Sequence, residues 1–128
     1  MKLQATVGIQ RLENAVIAVL LLGSMVLANL PWWVLLASFL FFDVSALGYL
    51  RGPRIGAFYY NLVHNYLPAG VLALGYLILK LAEMEVSWLL ILAASWAFHV
   101  AVDRALGYGL KLQSFQHTHL GVIGENGK

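Results

Sequence analysis

Four apolar stretches separated by short turns constrain this chain more than any other feature of its sequence. A helix needs about 20 mostly apolar residues to cross the hydrocarbon core of a bilayer. Stretches of about this length lie at 14–30, 32–49, 56–79 and 86–110. Because the turns between them are short, consecutive helices should be antiparallel neighbours. The sequence therefore predicts an all-α fold, a four-helix antiparallel transmembrane bundle.

The composition is that of a lipid-embedded rather than a water-soluble chain. Of the 128 residues, 61% are hydrophobic and 11% are charged, whereas soluble domains usually contain roughly 25% charged residues. The chain has no cysteine, which excludes disulfides and thiolate metal ligands. The basic residues are scattered and the formal net charge is only +2, which argues against a nucleic-acid-binding face. We expect one integral membrane domain over residues 1–128, ending in a polar C-terminal segment at 111–128.

The distribution of Lys and Arg predicts which side of the membrane holds the termini. With four spans, the N-terminus, the turn between the second and third spans and the C-terminal segment share one side. The basic residues of that side are Lys2, Arg11, Arg51, Arg54, Arg104, Lys111 and Lys128. The other side has only Lys80, and cytoplasmic loops are the ones enriched in basic residues. We therefore expect both termini in the cytoplasm. The first span exceeds the apolar region of a signal peptide, so we expect an uncleaved helix.

Four ionisable residues lie inside the predicted spans. They are Asp43 in the second span, His64 in the third, and His99 and Asp103 in the fourth. At a rise of about 1.5 Å per residue, they lie about 12, 15, 18 and 12 Å from the basic residues at the cytoplasmic ends of their spans. An ionisable residue within a span is costly and is a candidate functional residue by default. The shared depth predicts that three helices bring these side chains together in the cytoplasmic half of the bundle.

Two interpretations of this layer remain open. Imidazole and carboxylate groups are ligands for Zn, Fe and Mn, and a carboxylate can equally orient an imidazole as a proton acceptor. The alternative is a structural network of interhelical hydrogen bonds, which contribute only about 0.6 kcal/mol each on average in membranes. In the third span, Asn61, His64, Asn65 and Pro68 fall on one helix face.

Polar residues near the end of the fourth span extend the candidate site. Arg104 points about 100° away from its neighbour Asp103, so it can pair with another helix, bind lipid phosphate or reach the interface. In the C-terminal segment, His117 and His119 would face the same side of an extended chain. They are placed either to cap the bundle or to remain in solvent.

Three motifs resemble the domain-of-unknown-function 4260 family. They are Tyr60-Asn61-Leu62-x-His64-x-Tyr66, His99-x-x-x-Asp103-Arg104-x-x-Gly107-Tyr108-Gly109-Leu110-Lys111 and Phe115-x-x-Thr118-His119-Leu120-Gly121. The resemblance covers most of the chain after the first span. It implies a small, multi-pass protein of the bacterial inner membrane, without an assigned activity. It also picks out the same polar residues, Asn61, His64, His99, Asp103, Arg104 and His119, and it favours His119 over His117.

The leading hypothesis is a buried His/Asp site that binds or processes a small or lipid-like ligand, with or without a divalent metal. Asp43, His64, His99 and Asp103 would be its catalytic residues and its metal ligands. The binding residues would be Asn61, Arg104, His119, Tyr60 and Tyr108. Two alternatives are a proton, ion or small-solute transporter and a structural or partner-binding subunit. Membrane lipid and a second copy of the chain are the expected partners, and nucleic acid is not.

Overall fold

The computed structural model describes residues 2–112 and 114–124, and most of them are helical. The helices are α1 Lys2–Leu27, α2 Trp33–Ala37, a 3-10 helix Phe39–Arg51, α3 Pro53–Val63, α4 Tyr66–Leu81 and α5 Ser87–Leu106. Two short strands follow, β1 His117–Thr118 and β2 Gly121–Val122. The second predicted span corresponds to α2 with the 3-10 helix, and the third corresponds to α3 with α4.

Four helical segments are long and apolar enough to cross a membrane. Their bounds are Gln4–Leu27, Trp33–Arg51, Pro53–Leu81 and Ser87–Leu106. This confirms the predicted four-span helical bundle, and by length and composition the chain is a multi-pass membrane protein. The first helix begins well before residue 14, where the apolar stretch starts. Its early polar residues are good helix formers, so the helix extends beyond the apolar stretch.

The last helix, α5, is the centre of the bundle. It packs against α1 and α4, while the 3-10 helix packs mainly against α3. Within the spans, 44% of the α5 window is buried, against 11% for each of the other three. The apolar core around α5 includes several alanines, whose small side chains let helices approach closely; its buried members are Ala18, Met25, Leu35, Ala94, Phe98 and Ala101. On this enclosed helix the ionisable residues His99 and Asp103 are buried.

The second span is mostly a 3-10 helix and not the α-helix that an apolar run suggests. A 3-10 helix has three residues per turn, so side chains three residues apart lie in one row. Phe41, Val44, Leu47 and Leu50 form such a row, and all four are exposed on the outside of the bundle. The adjacent row contains Phe42, which is buried. Runs of 3-10 helix beyond three or four residues are uncommon, and this one has 13 residues.

The third span is broken at His64 and Asn65 and is not one continuous helix. Asn65 caps α4, because its Oδ1 accepts a hydrogen bond from the Leu67 N–H at 2.8 Å. Pro68 therefore lies in the first turn of α4, where a missing N–H costs nothing. The break frees carbonyls at the end of α3, and the Asn65 amide and the Trp96 indole donate to three of them at 2.7–3.1 Å. Irregular backbone within a membrane is tolerated when its polar groups are satisfied in this way.

The segment after α5 folds back onto the bundle as a C-terminal cap, which comprises residues 107–112 and 114–124. Gly107 ends α5 with a left-handed φ of 99°, a conformation that favours glycine. β1 and β2 pair in an antiparallel hairpin, and Lys111 forms a bridge with Thr118. The Phe115 ring contacts Tyr49 at a centroid distance of 5.6 Å. The cap therefore lies at the same end of the bundle as the turn between the second and third spans.

Candidate metal centre

Asp43, His64, His99 and Asp103 come together at one point, as the sequence predicts. Each offers one ligand atom, and the four atoms lie within 4.8 Å of one another. Asp43 comes from the 3-10 helix, His64 from the break after α3, and the other two from α5. His64, His99 and Asp103 are buried, whereas the Asp43 side chain is 43% exposed. We call these four residues the His/Asp cluster.

The spacing of the cluster atoms matches that of ligands around one metal ion. His64 Nε2 lies 3.3 Å from both carboxylates, and His99 Nε2 lies 3.4 Å from Asp43 and 3.6 Å from Asp103. A tetrahedral site with bonds of about 2.0–2.2 Å has edges of about 3.3–3.6 Å. The two Nε2 atoms are closer, at 2.9 Å, which is nearer to the spacing of adjacent octahedral positions. These five distances suit a four-coordinate zinc ion or a six-coordinate iron or manganese ion, and the sixth, between Asp43 and Asp103, is within 4.8 Å.

The His64 imidazole is held in the tautomer that a metal ligand needs. Its Nδ1 lies 3.0 Å from the carbonyl oxygen of Tyr60. Because a carbonyl can only accept a hydrogen bond, Nδ1 carries the proton, and Nε2 presents its lone pair to the cluster. The Tyr60 ring stacks on this imidazole at a centroid distance of 3.7 Å and an interplanar angle of 7°. Both the orientation and the tautomer of His64 are therefore fixed by Tyr60.

The His99 imidazole is fully buried, and aromatic rings pack against it. The rings of Phe39 and Phe42 lie 4.6 and 5.2 Å from it. Its Nδ1 has no hydrogen-bond partner within the part of the chain that the structure describes. Packing thus holds the ring of His99 in place, whereas hydrogen bonding holds that of His64.

A cavity of about 360 Å³ reaches the two carboxylates of the cluster. Apart from the carboxylates its walls are mainly apolar and aromatic; they comprise Phe39, Asp43, Ala46, Tyr60, Asp103, Leu106, Tyr108 and Phe115. The Tyr60 hydroxyl donates a hydrogen bond to Asp103 Oδ2 at 3.0 Å. The two imidazoles are absent from the cavity wall, so a ligand in the cavity meets the carboxylates first.

Two of the other predicted binding residues line this cavity, and a third supports it indirectly. Tyr60 and Tyr108 are part of the wall. Asn61 binds the backbone of Lys111 twice, because its Nδ2 donates to the carbonyl at 2.7 Å and its Oδ1 accepts from the N–H at 2.6 Å. Asn61 therefore fastens the C-terminal cap to α3 and does not point at the cluster.

Arg104 and His119 lie away from the cluster and share a second cavity. The Arg104 guanidinium lies over the Tyr66 ring, 4.9 Å from its centroid. His119 Nδ1 accepts a hydrogen bond from the Leu110 N–H at 2.8 Å, close against Gly109. Burial, and then the nearby Arg104, lower the pKa of His119. His117 is exposed and contacts Ser114. His119 docks on the bundle, but the structure does not bring it to the cluster.

Sequence reasoning missed the role of Lys111, which is buried beside the site. Its Nζ lies 4.1, 4.6 and 5.5 Å from the ring centroids of Phe115, Tyr60 and Tyr108. No hydrogen-bond partner for Nζ occurs among the described residues. Burial lowers the pKa of Lys111 from 10.5 to about 8. The sequence does contain two aromatic residues near Lys111, one three residues before it and one four residues after it. They predict cation–π contacts only if the segment after α5 folds back on itself.

The depths predicted for the four cluster residues identified the right residues, although two of the assumptions about helix geometry were wrong. Asp43 lies on a 3-10 helix, whose rise is about 2.0 Å per residue, so eight residues correspond to about 16 Å rather than 12 Å. This places Asp43 closer to the level of His64. Lys111, the reference for the fourth span, lies beyond the end of α5 at Leu106, so depths measured from it were not helical distances.

Comparison with known proteins identifies a family and no activity. No curated protein and no solved structure matches the chain. The family model that does match is described as Domain of unknown function (DUF4260), and the match spans residues 8–123. It includes all four cluster residues, Asn61, Arg104 and His119. Because the match covers nearly the whole chain, the chain belongs to the DUF4260 family, as its motifs predicted.

Proposed function

We propose that this protein binds one divalent transition-metal ion, Zn, Fe or Mn, through the His/Asp cluster and uses it to act on a small or lipid-like molecule. The observation that carries the proposal is the convergence of four ligand atoms from three spans to within 4.8 Å. Ionisable side chains are costly inside a membrane protein. The His/Asp cluster places four such side chains together, and the two carboxylate charges within it need a positive charge to balance them.

Counting protons favours a cation over a hydrogen-bond network. His64 Nε2 is an acceptor, because its proton lies on Nδ1, and ionised carboxylates accept only. With neutral imidazoles, His99 Nε2 is then the single donor among the four cluster atoms. One proton satisfies at most one neighbour well, whereas a divalent cation satisfies all four atoms and balances the two carboxylate charges. The competing arrangement protonates an imidazole and pairs it with a carboxylate.

The cavity favours an apolar or amphipathic ligand with an oxygen-containing group. Its walls are apolar except at the carboxylates of Asp43 and Asp103 and at the tyrosines. A divalent cation bound there supplies Lewis acidity to a coordinated oxygen. Asp43 is the cluster member with the most exposed side chain, so it is best placed to exchange a ligand or a proton with the cavity. The reaction class that we infer is hydrolysis by water, or oxidation with dioxygen as the oxidant if the bound ion is Fe or Mn.

The proposal is tested by elemental analysis of tag-free protein purified in detergent. The wild type should contain close to one equivalent of Zn, Fe or Mn, and the double variant His64→Ala/His99→Ala should lose it. The double variant His117→Ala/His119→Ala is the matched control, because it removes two imidazoles outside the cluster. It should retain the metal. Folded wild-type protein that binds no metal after incubation with each of the three ions would refute the metal centre.

Asp43→Asn separates a functional site from a packing network. The substitution keeps the shape of the side chain and removes its charge, so a packing role predicts a stable protein that behaves as wild type. The proposal instead predicts weaker metal retention, since a neutral amide oxygen is a poorer ligand than a carboxylate. Incubation of reconstituted wild type with a total lipid extract, followed by mass spectrometry, should reveal a lipid species that is altered by the wild type and unaltered by Asp43→Asn. Identical lipid profiles would exclude a lipid-processing role.

A further inference from the structure

A second cavity lies on a different face of α5 from the His/Asp cluster cavity, and it is polar. Its volume is about 240 Å³, and α1, α4, α5 and the C-terminal cap all contribute to it. The polar side chains that line it are Gln10, Glu13, Asn14, Tyr66, Arg104 and His119. None of these belongs to the His/Asp cluster, so the cavity needs no metal and is independent of the proposed function.

Two hydrogen-bond donors in this cavity have no acceptor. Arg104 makes no hydrogen bond or ion pair with the described residues, and its Nε is buried. His119 accepts a hydrogen bond at Nδ1, so the proton of the neutral ring lies on Nε2, which has no acceptor in the described chain. A buried donor left without a partner is destabilising, and this applies to the Arg104 Nε, whereas His119 is exposed. A ligand with acceptor oxygens removes that cost.

The other polar groups of the cavity are already engaged with each other. Asn14 Nδ2 donates to the Gln10 carbonyl at 2.7 Å, and Asn14 Oδ1 accepts from the Tyr66 hydroxyl. Glu13 is exposed and forms no ion pair with Arg104. The groups of the cavity that remain without partners are therefore a cation, Arg104, and a hydrogen-bond donor, His119. These are the groups that an anion-binding site needs. A guanidinium binds phosphate oxygens in a bidentate manner.

The surroundings of the cavity distinguish a lipid from a free anion. An apolar groove along α1, lined by Ile9, Leu12, Val16 and Ile17, shares Glu13 and Ile17 with the cavity wall. Arg104 is two residues before the end of the α5 span at Leu106, the depth at which headgroups meet a helix end. A phospholipid can bind both surfaces at once, with its phosphate hydrogen-bonded to Arg104 in the polar cavity and an acyl chain packed in the apolar groove.

We propose that the cavity between α1, α5 and the C-terminal cap is a binding site for the phosphate group of an anionic phospholipid, with Arg104 as its principal contact and His119 as a second donor. One acyl chain lies along the groove on α1. Because α1, α4, α5 and the cap all line this cavity, the bound lipid would help to hold the cap against the bundle.

The test is native mass spectrometry of the full chain, with phosphatidylglycerol as the probe and phosphatidylcholine as the zwitterionic comparison. Wild type should retain one phosphatidylglycerol and prefer it to phosphatidylcholine. Arg104→Gln should weaken phosphatidylglycerol binding about tenfold, since it removes charge-assisted hydrogen bonds. Arg54→Gln is the matched control, because Arg54 is an exposed arginine outside the cavity, and its effect should stay within about twofold.

Further variants keep the proposal falsifiable if Arg104→Gln does not fold. Glu13→Gln removes the one acidic group at the rim and should strengthen phosphatidylglycerol binding, whereas unchanged binding contradicts an anion site. Arg104→Lys keeps the charge without the planar fork and should lie between wild type and Arg104→Gln. Equal effects of Arg104→Gln and Arg54→Gln, or equal binding of the two lipids, would overturn the proposal. Displacement of the lipid by millimolar inorganic phosphate would assign the cavity to free phosphate instead.

Discussion

Asn61 is the residue whose replacement tests most directly how the C-terminal cap is held over the site. Its amide makes two hydrogen bonds to the Lys111 backbone, at 2.6 and 2.7 Å, across 50 residues of sequence. Lys111 is only 2% exposed, so its N–H and C=O have no ready access to solvent. Asn61→Ala leaves both groups unpaired, at about 1–3 kcal/mol each. Because the deleted side chain leaves room for water, we expect the lower half of that range for each group, a total loss of about 2–4 kcal/mol.

Two readouts separate a released cap from a general loss of stability. The free energy of unfolding in mixed micelles, followed by tryptophan fluorescence, measures the whole bundle. Limited trypsin digestion measures the cap, because trypsin cleaves after Lys111 only when that buried bond opens. Asn61→Ala should lower the first and accelerate the second. Asn65→Ala is the control, since it removes a helix cap from α4 and should leave cleavage after Lys111 unchanged.

Asn61→Asp adds a pH signature to the same reasoning. The new carboxylate still accepts from the Lys111 N–H but repels the Lys111 carbonyl oxygen. When that carboxyl is protonated it donates to the carbonyl, so the deficit relative to wild type should shrink between pH 7 and pH 4. An Asn61→Ala variant within about 0.5 kcal/mol of wild type, with unchanged tryptic cleavage, would show that the two hydrogen bonds do not hold the cap.

Three further predictions concern other parts of the molecule. Lys111→Met should stabilise the protein at pH 7 by up to about 3 kcal/mol, because burial lowers the pKa of Lys111 from 10.5 to about 8 in the wild type. As the pH rises, the ammonium group of Lys111 loses its proton in the folded wild type before it does so in the unfolded chain. The free energy of unfolding of the wild type should therefore rise between about pH 8 and 10.5, and that of the variant should not. Gly56→Ala should cost about 1–3 kcal/mol in unfolding experiments, since an added Cβ would lie 2.2 Å from its nearest neighbour, whereas Gly75→Ala, with open space around it, should be neutral or stabilising. In a chain that lacks native cysteine, Lys80→Cys should react with an impermeant maleimide added outside cells and Arg54→Cys should not; the opposite pattern would place the termini outside.

Hydropathy alone determined the number of spans, because a helix must satisfy its own backbone in lipid and about 20 apolar residues suffice to cross it. Polar residues within those spans stand out for the same reason, since each is costly there. Asp43, His64, His99 and Asp103 can therefore be selected from the sequence alone. Their convergence also followed from the sequence, because short turns make consecutive helices neighbours and similar depths place the four side chains in one layer.

The sequence indicates the backbone geometry of the second and third spans only in part. Phe41, Val44, Leu47 and Leu50 repeat every three residues, which is the period of a 3-10 helix, but a short apolar run also suits an α-helix. Likewise, Asn61, His64, Asn65 and Pro68 suited one face of a single continuous helix in the third span. The break falls at His64 because Asn65 and Trp96 supply the donors that satisfy the freed carbonyls, and Trp96 is more than 30 residues away.

Only the tertiary structure decided what the residues after α5 do. A polar, glycine-containing segment carries no periodicity, so its sequence suits a solvated tail as well as a docked cap. Docking depends on partners distant in sequence, the Asn61 amide for the Lys111 backbone and the rings of Tyr60 and Phe115 for its ammonium group. The same fold carries His119 to Arg104 and away from His64. Local pattern follows from the sequence because it depends on neighbouring residues, whereas these long-range pairings exist only once the chain has closed on itself.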